Sequence, residues 1–330
     1  MIESAEYQPG QAAPSSDASP MLEHLREVAE AMRATLDACR KHGETPKVEA
    51  VHHLRTGTRR VEATLETLAR EAGARGLNQA AEEARQRWLR QLKKVRRASG
   101  TVRDFDVHRE LLADNFLPAE EEAKPAENAV DAAPQSSPLV AQARLLDAWL
   151  KSRRSDAAQA LSKTLEDHAA RLLDAEQQFL AAIAKSRSIY RRRHRPAARL
   201  ALEDYLRLMD AMPHLDQENL HDFRKGAKKA RYVAESDEKD PAAEAMAKTI
   251  KRVQDAIGDW HDWDVVRGEA REALHGGGAA LEAQLELHTR RAYERALRIT
   301  ATLGRRFIGE WQASRPRRGR AARAASRKSS

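Results

Sequence analysis

Apolar residues recur at helical spacing along most of the chain, and this pattern gives the first expectation of its fold. After Val51, Leu54, Val61 and Leu65 fall on one side of a helix, because each residue turns the side-chain direction by about 100°. No stretch alternates Val, Ile, Tyr or Phe with polar residues in the way that is typical of strands. The sequence therefore predicts an all-α protein. Helices are predicted over residues 21–41, 46–72, 76–99, 103–115, 139–188, 196–211, 217–235, 241–257, 261–274 and 279–312.

Glycines and prolines mark the predicted ends of these helices. Gly100 and Gly258 are interpreted as residues that follow a helix end, since glycine adopts the left-handed conformation found there at little cost. Four aspartates come soon after these glycines and are interpreted as helix N-caps or as partners that orient Arg and Lys: Asp104, Asp106, Asp262 and Asp264.

The same signals divide the chain into regions. Residues 1–20 are rich in Pro and Ser and are predicted to be a disordered lead. Residues 118–138 combine several prolines with three consecutive glutamates, which is typical of a linker. This linker separates a first half, 21–117, from a second half, 139–312, of one helical domain. Residues 313–330 are predicted to be a basic, disordered tail.

Two phrases occur twice in the chain. VHHLRTGTRR, from Val51, and LHDFRKGAKK, from Leu220, place a His, an Arg and two further basic residues at identical spacing, 169 residues apart. LKKVRRASGTVRDFDV, from Leu92, and IKRVQDAIGDWHDWDV, from Ile250, share a Gly and two Asp and lie 158 residues apart. Two ordered matches at nearly one offset predict a duplicated helical unit. We therefore expect two antiparallel four-helix bundles related by a pseudo-twofold axis.

The basic residues of the first phrase share one face of their helix. His52, Arg55 and Arg59 fall within a stripe about 60° wide, away from the apolar side, and His221 and Arg224 begin the same layout in the second copy. Like charges four residues apart on a helix repel each other. A chain that repeats this arrangement favours an anionic ligand that offsets the repulsion. The basic residues of the second phrase also lie opposite its apolar stripe.

The distribution of charge is more informative than the formal net charge of +8. Seven positive charges stand in residues 315–330, so an anion site in the helical part has to come from local clustering. Cys39 is the only cysteine, which excludes a disulfide within the chain and suits a reducing compartment. No apolar run approaches the roughly 20 residues of a membrane span. The polar N-terminus lacks the pattern of a secretory signal.

These motifs resemble those of the CHAD domain, the conserved histidine α-helical domain. The resemblance covers roughly residues 21–312. It rests on four motifs in order: His52-x-x-Arg55-x-x-x-Arg59-Arg60, Gly100-x-x-Arg103-Asp104-x-Asp106-Val107, His221-x-x-Arg224-x-x-x-Lys228-Lys229-x-Arg231-Tyr232 and Gln254-Asp255-x-x-Gly258. In one place the chain departs from the family, because Glu62 stands where many members have Arg.

The resemblance implies two helical bundles with a basic groove between them that binds inorganic polyphosphate, without catalysis, cofactor or metal. It also implies a cytoplasmic protein, with polyphosphate granules as an expected location. A repeating anion suits a repeated cationic groove, in which Arg makes bidentate contacts and Lys supplies a mobile charge. The residues expected to bind polyphosphate are His52, Arg55, Arg59, Arg60, Lys93, Lys94, Arg97, Arg103, His221, Arg224, Lys228, Lys229, Arg231, Lys251 and Arg252.

Two other functions stay open. Nucleic-acid or nucleoid binding is suggested by the Arg-rich tail and the basic run 191–195, and the tail could add weak nucleic-acid contacts in any case. Aromatic residues, however, make up only 5% of the chain, which is few for stacking on bases. A metal-dependent phosphohydrolase is suggested by the pairs His221-Asp222 and His261-Asp262. The internal copy opposes it, because Arg103 stands at the place of His261 and would repel a cation.

Overall fold

Eight α-helices make up the structure, which is a computed structural model that describes residues 20–72, 77–118, 137–184, 196–237 and 240–314. No strand occurs in these ranges, so the prediction of an all-α protein is confirmed. The helices are α1 Pro20–Lys41, α2 Val48–Ala72, α3 Gln79–Phe116, α4 Pro138–Ala184, α5 Ala197–Ala211, α6 Leu220–Glu235, α7 Pro241–Leu274 and α8 Ala279–Ser314.

Several predicted regions fall outside the described residues. The predicted lead, 1–20, and the basic tail, 313–330, lie almost wholly beyond them. The same is true of the predicted linker, 118–138, and of the basic run 191–195. These assignments stay predictions.

The predicted helix breaks at Gly100 and Gly258 are wrong. Both glycines lie in the middle of long continuous helices, α3 and α7. The aspartates that follow them are therefore interior helix residues and not N-caps. The packing that accounts for a glycine at each of these places is part of the candidate site described below.

Local sequence signals explain where the long helices begin and end. The side chain of Asn78 accepts a hydrogen bond from the backbone N–H of Ala81 at 2.8 Å, which caps the start of α3. Asp240 caps α7 in the same way, ahead of a proline in the first turn of that helix. At the other end of α7, His275 and Gly276 both have positive φ, 46° and 81°. This left-handed pair turns the chain into α8.

The buried apolar side chains form two large clusters. The first takes residues from α1, α2, the N-terminal part of α3 and the C-terminal part of α4, and it includes Trp88 and Phe179. The second takes residues from the end of α3, the start of α4 and α5 to α8, and it includes Phe223 and Trp260. Helices α3 and α4 therefore contribute to both clusters. The pseudo-twofold relation between two four-helix bundles stays a prediction.

The apolar stripes read from the sequence are the buried ones. Leu54, Val61 and Leu65 on α2 are fully buried, and so is Leu220 on α6, with Phe223 only 1% exposed. Burial of such side chains contributes about 1.5–3 kcal/mol each to the stability of the fold. It also fixes which face of α2 and of α6 is left for the basic residues.

No helix in the described part of the chain has the combination of length and apolar character that crossing a bilayer requires. Even α4, the longest at 47 residues, carries charged residues along its length, such as Lys151, Arg154 and Asp167.

Candidate functional site

A cavity of about 710 Å³ opens between α2, α3, α6 and α7. The two copies of the His-x-x-Arg motif face it from opposite sides, one on α2 and one on α6. Burial of the apolar stripes of these helices turns their basic stripes toward the same space. Eight of the residues that the sequence predicts as ligand-binding line the cavity: His52, Arg55, Arg59, Arg103, His221, Arg224, Lys228 and Arg231.

Each motif arginine lies against a glycine of the neighbouring long helix. A Cβ atom built on Gly100 would stand 3.3 Å from Nε of Arg55. A Cβ atom on Gly258 would stand 2.8 Å from Nη2 of Arg224, closer than real Cβ contacts. The glycines thus leave room for a guanidinium on the helix backbone. This is the physical reason for a glycine inside α3 and α7, where it would otherwise cost roughly 0.5–1 kcal/mol relative to alanine.

Backbone and carboxylate groups hold the two arginines in place. Nη2 of Arg55 donates to Oδ1 of Asp104 at 3.2 Å. Nε of Arg224 donates to the backbone oxygen of Gln254 at 3.4 Å, and Asp262 adds an attractive charge. Burial raises the pKa of Asp262 above its usual value. The interpretation of these aspartates as partners of basic residues therefore holds for Asp104.

The other two motif aspartates, Asp106 and Asp264, do not line the cavity and bind arginines elsewhere. Asp106 accepts a hydrogen bond from Nε of Arg154 on α4 at 2.5 Å. Asp264 accepts one from Arg267 on the same helix at 2.8 Å. They too act as partners of arginines.

Two basic side chains at the cavity have no direct partner in the part of the chain that the structure describes. Among the described residues, neither Arg59 nor Lys228 makes a side-chain hydrogen bond or an ion pair. Burial, followed by the positive charges of Arg224, Arg59 and Arg55, lowers the pKa of Lys228 to about 6. Burial and the charge of Arg55 lower the pKa of Arg59 to about 10. Like charges that depress one another's pKa in a partly dry space form a site for an anion.

Unsatisfied donors point to the same kind of ligand. Nε of Arg55, Nε of Arg59 and Nε2 of Gln254 are buried and have no hydrogen-bond partner. All three are donors, and all three residues line the cavity. A buried donor without a partner costs roughly 1–3 kcal/mol, which an acceptor-rich anion would recover.

The histidines of the two motifs differ in their surroundings. The ring of His221 packs on that of His261, with 4.3 Å between their centroids. Burial, then the charge of His261, lowers the pKa of His221 to about 4. His52 is more open to solvent, and burial together with Arg103 lowers its pKa as well. Both imidazoles are therefore mainly neutral at pH 7 in the free protein.

Seven predicted ligand-binding residues do not line the cavity. Arg60 lies 3.6 Å from Glu235, and Lys229 donates to Glu66 at 3.2 Å. The remaining five are exposed on the outer faces of α3 and α7. A helical wheel shows the direction of a side chain but not which element lies opposite it, so it could not separate these residues from those that line the cavity. The seven are Arg60, Lys93, Lys94, Arg97, Lys229, Lys251 and Arg252.

The cavity also includes residues that were not among the predicted ligands. Lys225 follows Arg224 directly and adds a positive charge at the rim. His108 is 3% exposed, and its Nδ1 lies 2.8 Å from a carboxylate oxygen of Glu269. Its position four residues after Asp104 on α3 is the signal that could have identified it. Asp259 lines the cavity too and accepts a hydrogen bond from Arg295 at 2.7 Å.

Glu62 forms an ion pair. Its carboxylate pairs with the guanidinium of Arg96 on α3, whereas the corresponding residue of the second copy, Arg231, lines the cavity. Glu62 therefore pairs with a neighbouring arginine and does not line the cavity.

Of the two pairs that suggested a metal site, His221, His261 and Asp262 line the cavity, whereas Asp222 does not. Within the described part of the chain, however, no three His, Cys, Asp or Glu side chains are arranged to hold a metal ion. Burial, followed by the positive charge of Arg224, lowers the pKa of His261. This environment favours an anion over a cation.

The fold is all-α, and the helices that carry the repeated motifs enclose a cavity lined by basic residues. The family model described as CHAD domain matches residues 23–271, and the chain belongs to this family. Among solved structures it is similar to the crystal structure of the CHAD domain from the plant Ricinus communis, with a TM-score of 0.54 and 16% sequence identity. That alignment covers 91% of this chain and 96% of the plant chain. No curated protein sequence matches this chain.

Proposed function

We propose that this protein binds inorganic polyphosphate in the cavity between α2, α3, α6 and α7, and that it does so without catalysis. CHAD domains are associated with polyphosphate binding in general and are generally non-catalytic. The observation that supports this site is the cluster of Arg55, Arg59, Arg224 and Lys228, whose charges repel one another around a single cavity. A chain of linked phosphates supplies negative charge and acceptor oxygens to all of them at once.

The cavity suits phosphate oxygens better than bases. Its wall offers guanidinium, ammonium and amide donors, and Tyr232 is its one aromatic residue apart from histidines among the described lining residues. The guanidinium of Arg231 already lies over the Tyr232 ring, 4.7 Å from its centroid. Stacking of bases therefore finds little surface there. Polyphosphate granules in the cytoplasm are the location that we propose with this function.

A competition experiment tests the proposal. Labelled polyphosphate of about 100 units is bound to the full chain, and unlabelled polyphosphate or duplex DNA is added at equal phosphate concentration and matched salt. We expect polyphosphate to compete and DNA to compete much less. Displacement by DNA at equal phosphate concentration would instead assign the chain to nucleic-acid binding, the function suggested by its basic tail.

The enzyme alternative is tested in the same preparation. Polyphosphate is incubated with the protein and with added Mg²⁺ or Mn²⁺, and free phosphate is measured over time. We expect no release above the protein-free blank. Metal-dependent release that is lost in His261→Ala would contradict the proposal and restore the phosphohydrolase.

A further inference from the structure

The outer side of α3 carries an uninterrupted group of cations. Five basic residues between positions 87 and 97 are exposed, and none of their side chains has a hydrogen bond or an ion pair among the described residues. We call this group the α3 basic face. Its members are Arg87, Arg90, Lys93, Lys94 and Arg97.

The α3 basic face is continuous with the cavity wall. At 100° per residue, Arg90, Lys93 and Arg97 point within about 60° of Asp104 and His108, which line the cavity further along the same helix. One side of α3 therefore forms part of the cavity at its C-terminal end and the basic face at its N-terminal end. Arg87 lies about 24 Å along the axis from Arg103.

Acidic neighbours do not neutralise this face. Glu62 and Glu66 are carboxylates of the adjacent helix α2, and in the structure they pair with Arg96 and Lys229. Between positions 86 and 97 the chain itself has six basic residues and no acidic one. Five like charges held on three turns of helix repel one another unless an anion lies along them.

The corresponding side of α7 is nearly neutral. At the equivalent positions, Lys248 pairs with Glu244 at 2.5 Å and Lys251 pairs with Asp255 at 2.6 Å. Asp255 stands at the place that Arg97 occupies on α3. The duplicated unit thus offers a polyanion an attractive path out of the cavity along α3 but not along α7.

We propose that a polyphosphate chain too long for the cavity continues along the α3 basic face, which makes the affinity depend on chain length. This inference rests on the proposed function of the cavity. The face adds contacts only for the units beyond the cavity, and because it is exposed each contact is weak and sensitive to salt. Length selection then comes from many weak contacts on one helix and not from the buried cluster.

The test compares two triple variants of the full chain. One is Lys93→Gln/Lys94→Gln/Arg97→Gln. The matched control, Lys151→Gln/Lys163→Gln/Arg171→Gln, removes three exposed cations of α4 that also have no ion-pair partner among the described residues. The Kd is measured for polyphosphates of about 3, 15, 60 and 100 units. The shortest length that binds wild type serves as the reference.

The expected result is a length-dependent loss. The α3 variant should bind the longest chain about tenfold more weakly than the control does, and the reference length within about twofold of it, since three weak surface contacts together amount to roughly one decade of affinity. An equal loss at every length, or no loss beyond the control, would overturn the inference while leaving polyphosphate binding intact. Loss of duplex-DNA binding with retained polyphosphate binding would assign the face to nucleic acid and overturn it too. Absence of wild-type binding at every length would overturn the proposed function itself.

Discussion

The two copies of the arginine motif have the same arrangement but differ in their exposure to solvent. Arg55, in the first copy, has a side chain that is 23% exposed, and its partner Asp104 is 55% exposed. Arg224, in the second copy, faces the more buried Asp262 and packs more tightly on its glycine. The contact of a guanidinium on helix backbone is thus common to both motifs, whereas their exposure to solvent differs. Because charge interactions strengthen as water is excluded, the second copy should contribute more to binding.

Truncating the two arginines should have the largest effect. We expect Arg224→Ala to weaken polyphosphate binding more than Arg55→Ala, because each charge-assisted contact contributes about 1.5–3 kcal/mol and the drier one falls at the upper end. The double variant should lose at least about a hundredfold in affinity while its helix content, measured by circular dichroism, stays that of wild type. Calorimetric titration with polyphosphate of fixed length gives the three Kd values. Equal losses for the two single variants would refute the difference between the copies.

Filling the space under each arginine should have an intermediate effect. Gly258→Ala places a Cβ 2.8 Å from Nη2 of Arg224 and should displace that guanidinium, with about a tenfold loss of affinity. Gly100→Ala meets Nε of Arg55 only at 3.3 Å, so its loss should be smaller.

Gly268→Ala is the matched control for these variants, because it lies on α7 with nothing within 4 Å of the added Cβ. All three replacements favour helix formation by roughly 0.5–1 kcal/mol, so thermal unfolding separates stability from binding. A normal affinity in Gly258→Ala would show that the glycine does not position Arg224.

The smallest effect should be on the pH dependence of binding, and it comes from the second copy. Lys228 has a pKa of about 6 in the free protein, and its neighbours are Arg55, Arg59, Arg224 and Asp262. A bound polyanion favours the charged amine and raises this pKa, so binding takes up a proton above pH 6. By linkage, affinity should rise as pH falls from 8 to 6, by about fivefold over the whole range.

Lys228→Arg keeps the charge at all these pH values and should flatten the slope. His52→Gln/His221→Gln should reduce the slope less, because the pKa of His221 is near 4. Titrations in buffers of different ionisation enthalpy measure the proton uptake directly. An unchanged slope in Lys228→Arg would show that the histidines carry the linkage.

Hydrophobic periodicity was enough to predict the faces of the helices. Leu54 and Phe223 are buried where the wheel placed them, and the basic stripes opposite them meet at the cavity. Periodicity is a local property of the sequence. It predicts the buried faces correctly here because the apolar stripe of each helix packs against the neighbouring helices. The all-α class was accessible for the same reason, whereas the family was accessible from the four ordered motifs.

Contacts between distant residues could not be predicted in this way. Gly100 and Gly258 carry the signal of a helix end, but a guanidinium from another helix covers each of them, and no local rule anticipates that. Lys93 and Arg97 share the chemistry of Arg55 without sharing its cavity, because their neighbours are set by tertiary packing. The low pKa of Lys228 likewise comes from charges brought together only by the fold.

Helix α4 has a consequence for the energetics of recognition. It runs for 47 residues, about 70 Å, with no glycine or proline after its first residue, and it packs in both apolar clusters. Kinks in helices arise mostly at such residues, so α4 is a continuous helix that links the two apolar clusters. The repulsion among Arg55, Arg59 and Arg224 is then overcome once, while the chain folds. The proposed site would then be preorganised for an anion, so that, apart from the protonation of Lys228, association would require little reorganisation of the protein.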